Sequence, residues 1–243
     1  MLRLMKYDLK RRRERILAVF VIMLLAQVGT WISNSSMGVE LLSYHMMIYG
    51  IFGCILLLFV VFNYVRYLKS YARKLVPVGT VQNVLSPLLL IWVLLFLVVL
   101  IAAIHLGLYV LVYSSDFLPV NFWHVAPWSV LNLLWTSGFE LILLMFAITV
   151  AMSLRVKGTI WIAIAVFALI DNGISFIENK FWGSYMNALD KAFQFKIYDA
   201  SAIHTGLSLP DIGTNLWALI FEAAVGAILI YVMTVLIKKR IEE

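Results

Sequence analysis

Three carboxylates stand where carboxylates are costly. Glu140, Asp171 and Glu222 each fall inside a long apolar run, and such a charge at the centre of a membrane helix costs roughly 2.5–3.5 kcal/mol on insertion scales. Each therefore needs a hydrogen-bonding partner, a water-filled cavity or a proton. No Lys or Arg lies in the apolar core of the same runs to pair with them. Counted from the ends of the runs, Glu140 and Glu222 lie in the outer half, and Asp171 lies closer still to the outer end. Two readings stay open. As a pathway or gate, the three acids line a polar route. As packing groups, they hydrogen-bond between helices, a role that suits Asp171 beside Asn172.

Other chemistry finds little footing. The four histidines, His45, His105, His124 and His204, sit on different segments, and no spacing pairs one with a nucleophile. A lone His124 near an interface reads as structural. Cys54 is the single cysteine, which excludes an internal disulfide and a cysteine metal cluster. The chain has no G-x-x-x-x-G-K-[ST], H-E-x-x-H or G-x-S-x-G, so it carries no phosphate loop, zinc-protease helix or nucleophile elbow of its own. Catalytic, metal and cofactor sites are not expected in this chain.

The elements that position the acids follow from composition. Hydrophobic residues make up 63% of the 243 residues, charged residues 13%, and mean hydropathy is +0.97. Soluble domains carry about 25% charge, so this is an integral membrane protein. A membrane span needs about 20 apolar residues, and six runs qualify: 16–35, 46–65, 86–113, 129–153, 158–177 and 214–237. They are continuous rather than alternating, which predicts helices and excludes a closed barrel. Span 86–113 is expected to begin at Pro87, a tolerated first-turn position.

Cation placement orients the spans. Arg3, Lys6, Lys10, Arg11, Arg12, Arg13 and Arg15 precede the first span; Arg66, Lys69, Arg73 and Lys74 follow the second; Arg155 and Lys157 follow the fourth; Lys238, Lys239 and Arg240 follow the sixth. Only Lys180, Lys191 and Lys196 fall on the other side. Cytoplasmic loops gather Lys and Arg, so both termini are expected to be cytoplasmic. The net charge of +6 then reflects topology and not a nucleic-acid footprint.

Between the spans, residues 1–15 read as an amphipathic helix lying in the membrane interface, with Leu2, Met5, Leu9 and Ile16 on one face. A cleavable signal peptide is the alternative, but the apolar run is too long, and a retained first span is favoured. Residues 34–45 form a short outer loop. In the outer loop 114–128, Trp123 and Trp128 suit the interfacial belt. Residues 178–213 carry Phe181, Trp182, Tyr185, Met186, Leu189, Phe193 and Ile197 at helical spacing among charges, which predicts short re-entrant external helices before span 6. The segment 66–84 has four cations and no acid. Tyr67, Leu68, Tyr71 and Leu75 share one helical face, Lys69, Arg73 and Lys74 lie mostly off it, and Pro77 ends the helix. It is either a solvated loop whose cations set topology or a handle for a cytoplasmic partner.

Taken together, the basic amphipathic N-terminus, six spans with both ends inside, the basic helix after span 2 and the external helices before span 6 resemble the permease subunit of a type-2 ABC exporter over essentially the full chain. Leu75-Val76-Pro77-Val78-Gly79 resembles the leucine-x-proline-small segment after that family's coupling helix. Many members carry an acid in that segment, whereas 66–84 has none. The resemblance implies a single transmembrane permease domain over 1–243. It implies a second copy of the chain, joined through the first and fifth spans. Two cytoplasmic ATPase subunits would bind ATP and Mg, and Tyr67, Leu68, Tyr71, Arg73, Lys74 and Leu75 would transmit their closure. The expected setting is a bacterial cytoplasmic membrane with its lipid. Hydrophobic or amphipathic cargo, such as peptides, lipids or drugs, fits the sparse polar groups, and exporters of phenol-soluble-modulin-like peptides are one such kind. The alternative is an ATPase-independent secondary carrier or a membrane scaffold. Carriers often show internal repeats, and the two halves show none.

If 67–75 couples to an ATPase, Tyr71 and Leu75 are its buried anchors and Arg73 and Lys74 its rim, where charges contribute little. Tyr71→Ala with Leu75→Ala then abolishes ATPase co-purification, while Arg73→Ala weakens it mainly at low salt. Full ATPase binding by the double variant, with normal insertion, would remove the segment from the mechanism.

Overall fold

A computed structural model describes residues 2–33, 39–69, 79–113, 122–154, 156, 158–182 and 212–241. The expectations for Tyr71, Arg73, Lys74 and Leu75, for Trp123, His124 and Trp128 side chains, and for the external helices within 183–211 fall outside the described residues or side chains. The regular elements are all helices: α1 (Leu2–Ser33), α2 (Val39–Lys69), α3 (Thr80–Tyr113), α4 (Phe122–Ser153), α5 (Thr159–Trp182) and α6 (Ile212–Leu236), the last continued by a π-helical turn, Ile237–Ile241. All six are long and apolar enough to cross a membrane.

The helices exceed the apolar runs at most ends. A 32-residue helix such as α1 is about 48 Å long at 1.5 Å per residue, against about 30 Å of hydrocarbon. Hydropathy falls where polar residues begin, but the i→i−4 ladder does not depend on apolar side chains. The basic segment before residue 16 therefore continues into α1 without a break. Residues 39–45, expected in the outer loop, open α2. Tyr67 and Leu68 are the last turn of α2 rather than part of a separate helix.

The largest shift is at α3. It starts at Thr80, where the Gly79 carbonyl accepts from the Gln82 and Asn83 amides at 2.9 and 3.3 Å. Pro87 is thus an interior residue rather than a first-turn one. It has no N–H to give the Asn83 carbonyl, a loss that membrane helices tolerate when neighbouring groups compensate. Asn83 and Ser86 are both buried beside it. Gly158, at φ +97°, makes the turn into α5, and its carbonyl accepts from Trp161 and Ile162. Only glycine takes this φ without a Cβ penalty.

Helix α4 sits at the centre. Half of its most apolar stretch is buried, and it packs on α5 and α6 and also meets α2 and α3. The main core joins Met23 of α1, Leu56, Val60 and Tyr64 of α2, Ile91 and Leu94 of α3, Leu141 and Met145 of α4 and Met233 of α6. A second cluster joins Phe139 and Leu143 of α4 to Ile174 of α5 and Leu229 of α6. One polar chain crosses the main core. Thr149 Oγ1 donates to the Met145 carbonyl at 2.7 Å, so the Tyr64 hydroxyl is the donor in its 2.7 Å bond to Thr149.

Helices α3 and α4 close over Gly138. A Cβ there would lie 2.5 Å from Trp92 Nε1 and 3.0 Å from Cε2, while that same indole N–H donates to the Leu134 carbonyl at 3.1 Å. Gly138→Ala must displace the indole and break this bond. We expect a destabilisation of about 1–3 kcal/mol, the usual cost of overpacking, read as a lower melting temperature in detergent. Trp92→Leu should make the two changes non-additive, and full additivity would show that the pair does not meet.

Candidate functional site

Helices α4, α5 and α6 bring the three sequence-selected acids together. Glu140 and Glu222 are both buried, at 9% exposure, and Asp171 is half-buried. The Glu140 carboxylate lies within electrostatic reach of both Asp171 and Glu222. Asp171 was expected near an outer end. Because α5 runs on to Trp182, Asp171 lies near the middle of that helix. That extension also places Glu178, expected in the external segment, as a buried residue of α5.

Glu222 has a defined partner. Trp135 Nε1 of α4 donates to its Oε2 at 2.5 Å, so an indole one turn before Glu140 fixes the α6 carboxylate against α4. Like charges gathered at membrane depth repel in a low dielectric, and such a cluster can hold a proton or the cationic group of a passing molecule. Among the described residues no group of three His, Cys, Asp or Glu is placed to hold a metal ion.

A second polar cluster joins the C-terminal parts of α1 and α3 to the start of α2, where spacing along the chain suggested nothing. The His45 and His105 rings meet edge to face with centroids 4.5 Å apart. Gln27 of α1 bonds twice to His45: its Nε2 donates to the His45 carbonyl at 3.2 Å, and its Oε1 pairs with Nδ1. The Tyr49 hydroxyl pairs with His105 Nδ1 at 2.9 Å. Trp31 leans on His105, 5.6 Å away, and on Tyr109, 6.2 Å away. The gap among His45, Tyr49, His105 and Tyr109 is about 10 Å³, room for one water at most. The signal that could have found this cluster is topological: antiparallel neighbours place the start of one span beside the ends of the spans before and after it.

Of the six coupling residues named from the sequence, Tyr67 and Leu68 fall in the described part. Tyr67 stacks on Tyr64 with centroids 6.3 Å apart, and Leu68 is buried in the main core. Both therefore tie the base of the segment to the bundle.

No family model, curated protein or solved structure matches the chain.

The Trp135–Glu222 bond yields a direct test. Glu222→Gln keeps an acceptor for the indole and removes one of the clustered charges, so its thermal stability in detergent should equal or exceed that of the parent. Glu222→Ala leaves the indole N–H bare and should cost about 1–3 kcal/mol, with Trp135→Phe adding little more. An alanine variant as stable as the parent would show that the bond contributes nothing.

Proposed function

We propose that this chain is the membrane-spanning subunit of an ATP-driven exporter of the type-2 ABC kind. It works as a homodimer above two separate ATPase subunits and moves hydrophobic or amphipathic cargo out across a bacterial cytoplasmic membrane. Both termini then face the cytoplasm, where the basic helix ends gather. ATP and Mg belong to the partner ATPase, and the 67–75 segment relays its closure to the spans.

The observation that carries this reading is the outward face of α5. None of the most apolar stretch of α5 is buried, and α1 is the next least covered helix, at 11%. Ala165, Ala168, Leu169, Asn172 and Phe176 are all exposed along one side of α5. Asn172 lies mid-helix, and its amide is occupied only in part, by a 2.6 Å bond to the Ala168 carbonyl. A polar side chain facing lipid is unfavourable, whereas small residues flanking a polar one form a common helix–helix interface. A second copy covering α5 removes that conflict, and α5 and α1 are the two helices that the resemblance assigns to the dimer.

The gathered acids favour one other reading, a carrier driven by an ion or proton gradient, because clustered intramembrane carboxylates mark such paths.

Two measurements separate the readings. With Cys54→Ala as background, Asn172→Cys should cross-link to a dimer in native membranes, while Ile228→Cys on the exposed side of α6 should not. In proteoliposomes containing an ABC ATPase that co-purifies with this chain, a fluorescent amphipathic peptide should move only with ATP, and Glu140→Gln should reduce that movement without unfolding the protein. Movement that follows an ion gradient and ignores ATP would establish the carrier. A monomer fully competent in transport would overturn the dimer.

A further inference from the structure

At the inner end of the bundle, α1 and α2 diverge around a cleft of about 330 Å³ lined by Arg11, Arg12, Glu14, Arg15, Asn63, Arg66 and Tyr67. Four arginines and one glutamate thus line a single space. Arg12 reaches across the helix pair, with its guanidinium 5.6 Å from the centre of the Phe59 ring on α2. On the floor, the Asn63 side-chain nitrogen is buried and has no hydrogen-bond partner among the described residues. A buried amide in that state is destabilising, and holding several like charges around one space adds to the cost. An anionic oxygen ligand relieves both.

The position of the cleft says where such an anion comes from. Ile22, two turns past Arg15 on the same face of α1, is an exposed apolar residue suited to an acyl chain. The cations thus stand at headgroup height on the side of the membrane that collects Lys and Arg. Arginine forks match phosphate oxygens in pairs, which a lysine ammonium cannot do. The volume lies within the range of small-ligand sites.

We infer that this cleft is a binding site for the phosphate of an anionic phospholipid in the inner leaflet, with Arg12 and Arg66 clasping it from opposite helices. Such a lipid acts as a staple between α1 and α2. The site stands whether or not the chain works with an ATPase.

Native mass spectrometry of the detergent-purified protein, titrated with phosphatidylglycerol and with phosphatidylcholine, tests this. We expect phosphatidylglycerol to be retained preferentially. Each cation near an anionic headgroup is worth about 1 kcal/mol, so Arg12→Gln with Arg66→Gln should weaken retention by about thirty-fold. Arg12→Lys with Arg66→Lys, which keeps charge and loses the fork, should lose part of it. Lys238→Gln with Lys239→Gln removes the same charge from the exposed end after α6 and should leave retention unchanged. Equal losses in the arginine and lysine-tail variants, or no preference in the parent, would reduce the effect to general surface charge and overturn the site. Inorganic phosphate and glycerol 3-phosphate serve as the soluble arm. Competition by either only at millimolar concentration supports a lipid, whereas micromolar competition would assign the cleft to a soluble phosphate and overturn the lipid. The parent's own lipid preference keeps the test decisive if a variant fails to fold.

Discussion

A polar atom inside hydrocarbon has no water to fall back on, and this constraint shapes the whole bundle. Apolar side chains do not discriminate strongly between a neighbouring helix and a lipid tail, so the polar contacts carry much of the pairing specificity. They are distributed accordingly. Gln27 with His45 joins α1 to α2, and Tyr49 with His105 joins α2 to α3. Trp92 with the Leu134 carbonyl joins α3 to α4, Tyr64 with Thr149 joins α2 to α4, and Trp135 with Glu222 joins α4 to α6. Each link leaves a costly bare group if its helix slips, so together they set register as well as proximity.

The remaining small polar residues are handled within their own helices. Thr30, Ser137, Ser153 and Thr234 return their hydroxyl protons to carbonyls three or four residues earlier. This back-bonding lets a hydroxyl sit in a membrane helix without a partner helix. Helix α5 differs from the others. Apolar contacts through Ile174 hold it to the bundle, and its opposite face is exposed.

The bundle therefore has three polar levels. Histidines and aromatic rings close one end of α1–α3, carboxylates gather near the middle among α4–α6, and arginines open the opposite end of α1–α2. The histidine cluster is tightly filled and reads as a structural plug. The middle level combines burial with unbalanced charge. The arginine level is the roomy one, and its chemistry is complementary to phosphate.

The sequence by itself determined the class, the six long apolar helices and the identity of the three acids within them. Each of these depends on local quantities: a run of about 20 apolar residues must span, and a carboxylate within it is costly wherever the helix packs. Helix ends were less legible, as Pro87 and Glu178 show, because a hydropathy change marks the edge of the hydrocarbon and not the end of a hydrogen-bond ladder. What only the tertiary structure decided is which residues meet. His45 and His105, or Arg12 and Arg66, are remote in the chain, and no periodicity links them. Glu140, Asp171 and Glu222 converge because α5 and α6 both pack on α4 at one depth. That depth is set by long-range packing and interhelical hydrogen bonds, which no single segment encodes.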